Sequence, residues 1–291
     1  MASIKDSIKI GDSFYLQDEM SYKIEKSANY FEANKKYYLT LAEDELGLKK
    51  DSRIEYSLNN YAHRSDDFKT LGTDSILFAG CSQTFGVGLP DEFRWSRVLH
   101  KKIKKVSDSF YCLSFPGAGF DKIVYNILKF CSEFGNPRCI FICFADYTRH
   151  IVFDKEEKKL IGKVCIDYKT GKIKEEYLPE DLMFKAQMAY RILEIYCKQN
   201  NITLISTSWS GETSKRMSYL FPKTFKSFDE DDKITKHLEH ILMGKNSEEQ
   251  KDLLFFARDG HHSGILENYH MSDFLFKCYL TEIGDLGILN T

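Results

Sequence analysis

The chain has 291 residues, enough to bury a large core as one domain with insertions. A hydrophobic share of 43% and a charged share of 29% are those of a globular protein and exclude a disordered or fibrous chain. A net charge of -2 excludes a nucleic-acid partner recruited by bulk charge, and no apolar run approaches the ~20 residues of a membrane helix.

Residues 1–70 are rich in Lys, Asp, Glu and Tyr, contain no proline and show weak periodicity. They read as an N-terminal extension packed on a main domain, 71–291. The opening stretch, MASIKDSIKIGDSF, carries no signal-peptide h-region. Of the eight cysteines, most sit inside apolar segments, among them Cys112, Cys139, Cys143, Cys197 and Cys278. That pattern predicts reduced, buried thiols and a cytoplasmic location. Cys139 and Cys143 are four apart, but the run CIFIC reads as a strand, so no metal site is expected.

The apolar run Ile76-Leu77-Phe78-Ala79 predicts a buried strand of a parallel sheet, ending at Gly80. Ser82 follows two residues later, with Gly86 and Gly88 beyond it. A serine just past the C-terminal end of a central strand sits where open α/β sheets put their chemistry. Gly80 and Gly86 let the backbone turn sharply near a ligand. The plain alternative is an ordinary strand-to-helix turn that happens to contain a serine.

Glu92 to Lys105 predicts a helix with Trp95, Val98, Leu99 and Ile103 on one face and a solvated lysine face. Phe110 to Phe115 is a second strand, Pro116-Gly117-Ala118-Gly119 a break, and Phe120 to Phe134 a second helix. Arg138 to Phe144 is a third strand, apolar on both faces. Residues 151–178 alternate around Lys169-Thr170-Gly171-Lys172 and predict an inserted β-hairpin. Glu180 to Gln199 is a long amphipathic helix and Asn201 to Thr207 a fourth strand. The polar stretch 208–250, with a short helical pattern at Ile234 to Met243, reads as a lid-like insertion over the strand ends. Ile265 to Ile283 closes the chain as a helix. This order predicts an α/β fold of three layers with a mostly parallel central sheet.

Near the C-terminus, Asp259 and His262 lie three apart with Gly260 between them. A turn there brings a carboxylate under an imidazole. A hydroxyl nucleophile needs such a base, and the base needs an orienting acceptor.

The early block Gly80-Cys81-Ser82-Gln83-Thr84-Phe85-Gly86 and the late Asp259-x-x-His262, in that order, resemble the first and last blocks of the SGNH (GDSL-type) hydrolase family. The resemblance spans roughly residues 60–280, is sparse between the blocks, and has Cys81 where the family usually carries Asp. It implies the flavodoxin-like version of the fold and a serine esterase without a cofactor. In that reading Ser82 is the nucleophile, His262 the base and Asp259 the residue that holds the imidazole. The oxyanion hole is implied to be the N–H groups of Ser82 and of Gly119 (or Gly117).

The third block of the family, Gly-x-Asn-Asp, is matched only by Asp146. Ala145 falls where the oxyanion-hole Asn is expected, and an ionised Asp146 cannot replace that donor. Asp146 and Trp209 are candidates for substrate contact. Gly11-Asp12-Ser13 spells the family name more literally but lacks the buried strand before it and the glycine turn after it. His63 and Arg64, in a segment similar to the preamble of some SGNH proteins, read as structural or surface residues. The implied substrates are small esters, such as O-acetyl groups on carbohydrate, with no nucleic acid and no membrane involved. The alternatives are an acyltransferase on the same triad and a weakened domain that binds a glycan or protein. Ala145 and Cys81 favour the last of these.

Overall fold

The computed structural model describes residues 36–39, 54–61, 63–72, 74–103, 108–154, 159–167, 172–175, 177–228, 257 and 262–285. Strands β1 (Lys36–Leu39) and β2 (Ile54–Ser57) form an antiparallel pair. β3 (Ile76–Gly80) is followed by a single helical turn, α1 (Ser82–Phe85), a 3-10 turn (Asp91–Phe93) and α2 (Trp95–Ile103). Then come β4 (Tyr111–Ser114), α3 (Phe120–Phe134) and β5 (Cys139–Phe144). Two small hairpins follow, β6 (Arg149–Asp154) with β7 (Lys159–Val164), and β8 (Ile166–Asp167) with β9 (Lys172–Ile173). α4 (Pro179–Gln199), β10 (Thr203–Ser208), α5 (Gly211–Leu220) and α6 (Ile265–Asp285) complete the described elements.

β10, β5, β3 and β4 lie side by side in that order, and every neighbouring pair is parallel. Read from the β4 edge and numbered by order of appearance, the strands run second, first, third, fourth, the flavodoxin-like arrangement over its first four strands. Alternation along the strands builds the layers. Leu77, Ala79, Leu113, Ile140 and Ile142 share a core with Ile123 and Ile127 of α3 and Leu182 and Leu193 of α4. Ile76, Phe78, Cys112, Phe141 and Ile205 pack on the opposite side with Trp95 and Leu99 of α2 and Met271 and Leu275 of α6. The result is a three-layer α/β fold. Phe78 stacks between Phe110 and Phe141, at 5.3 and 5.6 Å, with Trp95 edge-on at 5.9 Å. Truncating a ring so enclosed costs about 3–5 kcal/mol.

Local chemistry sets the helix ends. α4 starts on Pro179 with Glu180 and Asp181 in its first turn, where a fixed φ and negative charge both suit the amide end. The Ser210 side chain accepts the Thr213 N–H and caps α5.

Several boundaries differ from the sequence reading. The helix expected from Glu92 begins at Trp95, because Arg94 is extended (ψ 137°) and its side chain turns inward. The strand expected from Asn201 begins at Thr203, because Asn201 takes a left-handed φ of 56° after the end of α4. The hairpin insertion is two hairpins, and the larger pairs Arg149–Asp154 with Lys159–Val164. Tyr56, Leu58, Tyr61 and Phe68, from the stretch read as an extension, are full members of the α3-side core. The helical pattern at Ile234 to Met243 lies outside the described residues.

Candidate active site

In this strand order the direction of winding reverses between β3 and β5, and ligands of such sheets bind in the crevice beyond the strand ends there. Ser82 stands at that place, one residue past Gly80 and Cys81, and opens α1. The turn is tight enough to require its glycines. A Cβ on Gly80 would lie 2.0 Å from Thr84 Oγ1 and 2.5 Å from the Cys143 carbonyl oxygen. Gly86, at φ +72°, ends α1 by donating its N–H to the Ser82 carbonyl at 2.9 Å, and Val87 N–H donates to the same oxygen at 3.2 Å.

Two buried arginines hold this turn from behind. Arg64 Nη1 donates to the carbonyls of Phe85 (2.9 Å) and Gly86 (2.8 Å), and Nη2 donates to Leu89 O (3.1 Å). Its guanidinium lies 4.5 Å from the centre of the Tyr56 ring. Arg94 donates to Thr84 O (3.4 Å), to Arg64 O (2.9 Å) and to the Asp91 carboxylate. A Cβ on Gly86 would collide with the Arg94 stem at 2.3 Å, so glycine is needed there for space as well as for φ. Burial, and then the like charge of Arg94, lower the pKa of Arg64 to about 9, which leaves it cationic at neutral pH. Burial by itself would raise the Asp91 pKa. Arg94, Arg64 and Arg97 together outweigh it and hold that carboxyl well below the usual range.

The His262 segment is tied to the same turn by two routes, one direct and one relayed through Asn268 and Trp95. Ser263 N–H donates to Gln83 Oε1 at 3.2 Å, next to Ser82. Asn268, fully buried in α6, accepts the Trp95 N–H (2.9 Å) and donates to the Ser263 and Gly264 carbonyls (3.1 and 2.9 Å). Trp95 in turn donates its indole N–H to Thr84 Oγ1 at 3.2 Å. His262 itself is buried, and its carbonyl accepts the Ala257 N–H at 2.8 Å. So the strand-end serine turn and the loop carrying His262 form one hydrogen-bonded unit. Asp259 and His261 lie outside the described residues.

The other candidates line the same end of the sheet. Gly119 precedes α3, and a Cβ there would lie 1.9 Å from the Arg149 carbonyl oxygen, so the β6 backbone crosses directly over it. Gly117 takes φ +78° in the loop before. Ala145 is buried at the end of β5, and its carbonyl accepts the Ser208 hydroxyl at 3.0 Å. Asp146 accepts from Thr148 N–H (2.9 Å), Ser210 Oγ (2.8 Å) and Thr213 Oγ1 (3.2 Å), which fastens the start of α5 to the end of β5. Trp209 is half-buried against Phe228, with its indole N–H enclosed and unpartnered among the described residues.

Gln83, Thr84, Trp95, Arg94 and Asn268 were not legible as site residues. Trp95 carries an apolar-face signal only, and Asn268 is a single polar residue inside a closing helix. Their roles depend on partners up to 180 positions away.

The strand order and the layers define a flavodoxin-like α/β protein, with a serine turn at the open strand ends and the His262 loop hydrogen-bonded to that turn. No protein-family model and no curated protein matches the chain. Among solved structures it is similar to a protein assigned to the lipolytic G-D-S-L family from Desulfitobacterium hafniense DCB-2, at 11% identity and TM-score 0.38, covering 70% of this chain and 98% of that one. It is also similar to a member of the lipolytic protein G-D-S-L family from Veillonella parvula DSM 2008, at 14% identity and TM-score 0.39, covering 69% and 96%. Likeness this distant carries no weight for chemistry, which rests on the residues.

Proposed function

We propose that the chain is a serine esterase of the SGNH type. His262 takes the proton of Ser82 as its Oγ attacks the ester carbonyl, and Asp259 holds the imidazole. The carbonyl π electrons move to oxygen, where the N–H groups of Ser82 and Gly119 receive the charge. Collapse of that intermediate expels the alkoxide, which takes the proton from His262. Water, deprotonated by the same histidine, then attacks the acyl-serine, and the second collapse breaks the bond to Ser82 Oγ, which takes the proton back from His262 as the acid leaves. The substrate class is a small ester, such as an O-acetyl group on carbohydrate.

What carries the reading is the bond from Ser263 N–H to Gln83 Oε1, which ties the residue after His262 to the residue after Ser82. A structural turn has no need for a histidine loop clamped to it from the far end of the chain. The buried Ala145, in place of a side-chain donor, favours a second reading, a weakened domain that binds its ligand without turnover. Losing one oxyanion donor costs about a hundred- to a thousandfold in turnover, so a slow enzyme is the expected outcome.

The test is cleavage of an aryl acetate together with labelling by a fluorophosphonate. We expect slow turnover, abolished in Ser82→Ala and in His262→Ala, and a label on Ser82 alone. Equal rates in the wild type and Ser82→Ala would remove the esterase reading and leave the binding domain.

A further inference from the structure

The outward face of α4 carries an apolar stripe, edged by exposed Lys185 and Arg191, where a surface helix should be polar throughout. Phe184, Met188, Ile192 and Ile195 are 60, 47, 52 and 48% exposed, although Leu182, Ala186, Tyr190 and Leu193 of the same helix already fill the core. The four follow one another at intervals of four, four and three, so eleven residues make three turns. That is close to the natural period of a helix, and the stripe runs nearly straight along it. A solvated face has no use for such a stripe.

The charges at its ends identify the occupant. Exposed Asp181 lies at the N-terminal end and exposed Lys198 at the C-terminal end. We propose that a second copy of this chain docks here, the two α4 helices lying antiparallel about a two-fold axis level with residues 189 and 190. That axis sets Phe184 against the partner's Ile195, and Met188 against the partner's Ile192. It also sets Asp181 against the partner's Lys198, at both ends by symmetry. An isologous contact must be self-complementary in this way. A parallel pairing would set Asp181 against Asp181 and Lys198 against Lys198.

The stripe by itself is too small for a stable dimer, so the contact has to take in its flanks. A helix of this length is about 31 Å long and about 10 Å wide, or roughly 300 Å², whereas a stable interface buries about 800 Å² per partner. Exposed Tyr125 of α3, the helix packed against α4, widens it on one side. On the other, Arg191 lies 4.5 Å over the Phe221 ring and Thr224 donates to Glu194 at 2.8 Å. These contacts bring the end of α5, with exposed Tyr219 and Leu220, alongside. α4 covers a face of the sheet and not the strand ends, so both crevices stay open in the pair.

Sedimentation velocity on the full chain, from about 1 to 100 μM, tests this. We expect a dimer, and a monomer of unchanged circular dichroism for Met188→Glu with Ile192→Glu. Asp181→Lys and Lys198→Glu should each weaken dimerisation about tenfold, since each reverses two symmetry-related exposed pairs. The double reversal should restore it to within about threefold. A wild type monomeric at about 100 μM, or a double reversal weaker than either single one, overturns the proposal. So does a dimer that persists in the Met188→Glu, Ile192→Glu variant. A monomer that pellets with vesicles of anionic lipid overturns it in favour of a membrane surface.

Discussion

Replacing Asn268 with alanine should loosen the site more than its single side chain suggests. Asn268 is fully buried and makes three hydrogen bonds, one accepted from the Trp95 N–H and two donated to the Ser263 and Gly264 carbonyls. The Trp95 amide would be left buried without a partner, at a cost of about 1–3 kcal/mol. The Gly264 carbonyl keeps its bond from the Asn268 N–H at 3.3 Å, so the two donated bonds add only about 1 kcal/mol together. A total of roughly 2–4 kcal/mol corresponds to a fall in Tm of about 5–12 °C for a chain of this size. Asn268→Leu separates hydrogen bonding from volume, because it restores the bulk and none of the bonds. Thermal melts followed by circular dichroism should place Asn268→Leu beside Asn268→Ala, both well below wild type. Aryl acetate turnover at 25 °C should fall in both, because the His262 loop is no longer tied to α2. Recovery of most of the lost Tm in Asn268→Leu would refute the reasoning, since the residue would then be filling space.

Gly119→Ala should cost about 3 kcal/mol or more in urea titrations, because its Cβ meets the backbone oxygen of Arg149 at 1.9 Å and backbone cannot swing aside. Gly135→Ala, at φ +98° with nothing near its Cβ, should cost only about 1–2 kcal/mol. Asp91→Asn should lower Tm at pH 7. The pKa of Asp91 is depressed in the fold, so its stabilisation is complete above the ordinary value of 3.8 and fades as pH falls below it. The gap in Tm between wild type and variant should therefore narrow below about pH 4, and a gap constant from pH 7 to pH 3 would contradict the arginine cluster. All eight cysteines are free and only Cys278 is not fully buried. A thiol reagent should count eight in denaturant and at most one in the native protein; a native count of several would contradict that burial.

The layers were legible because they follow from periods of two and 3.6 that any stretch of chain carries within itself. β5 is apolar at all six positions, and the sequence CIFICF already requires cover on both faces. The turn around Ser82 was legible for a similar reason, since Gly80 and Gly86 mark a backbone that must bend. What escaped was long-range. Arg64 looked structural, yet nothing within ten residues of it says that it will satisfy the carbonyls of Phe85, Gly86 and Leu89. Arg94 sits inside a convincing helical pattern, and only the pull of its tertiary partners explains why the helix waits until Trp95. Asp146 carried the look of a site residue because its position matched a block. The hydrogen bonds it accepts from Ser210 and Thr213 belong to α5, which the sequence hid in a polar stretch.

The reach of Arg64 across the Ser82 turn bears on where the chain can be cut. A fragment starting at residue 71, where composition shifts, would keep every strand of the parallel sheet and every residue of the proposed triad. It would lack the cation that three carbonyls of that turn point towards, and the Tyr56 ring beneath it. Bare carbonyls would face a gap, and Asp91 would lose one of its balancing charges. Expression trials that trim to the apparent domain edge should therefore yield a chain with an opened core, stripped of Tyr56, Leu58, Tyr61 and Phe68, and a slack nucleophile turn, and a genuine minimal unit has to begin ahead of Ile54.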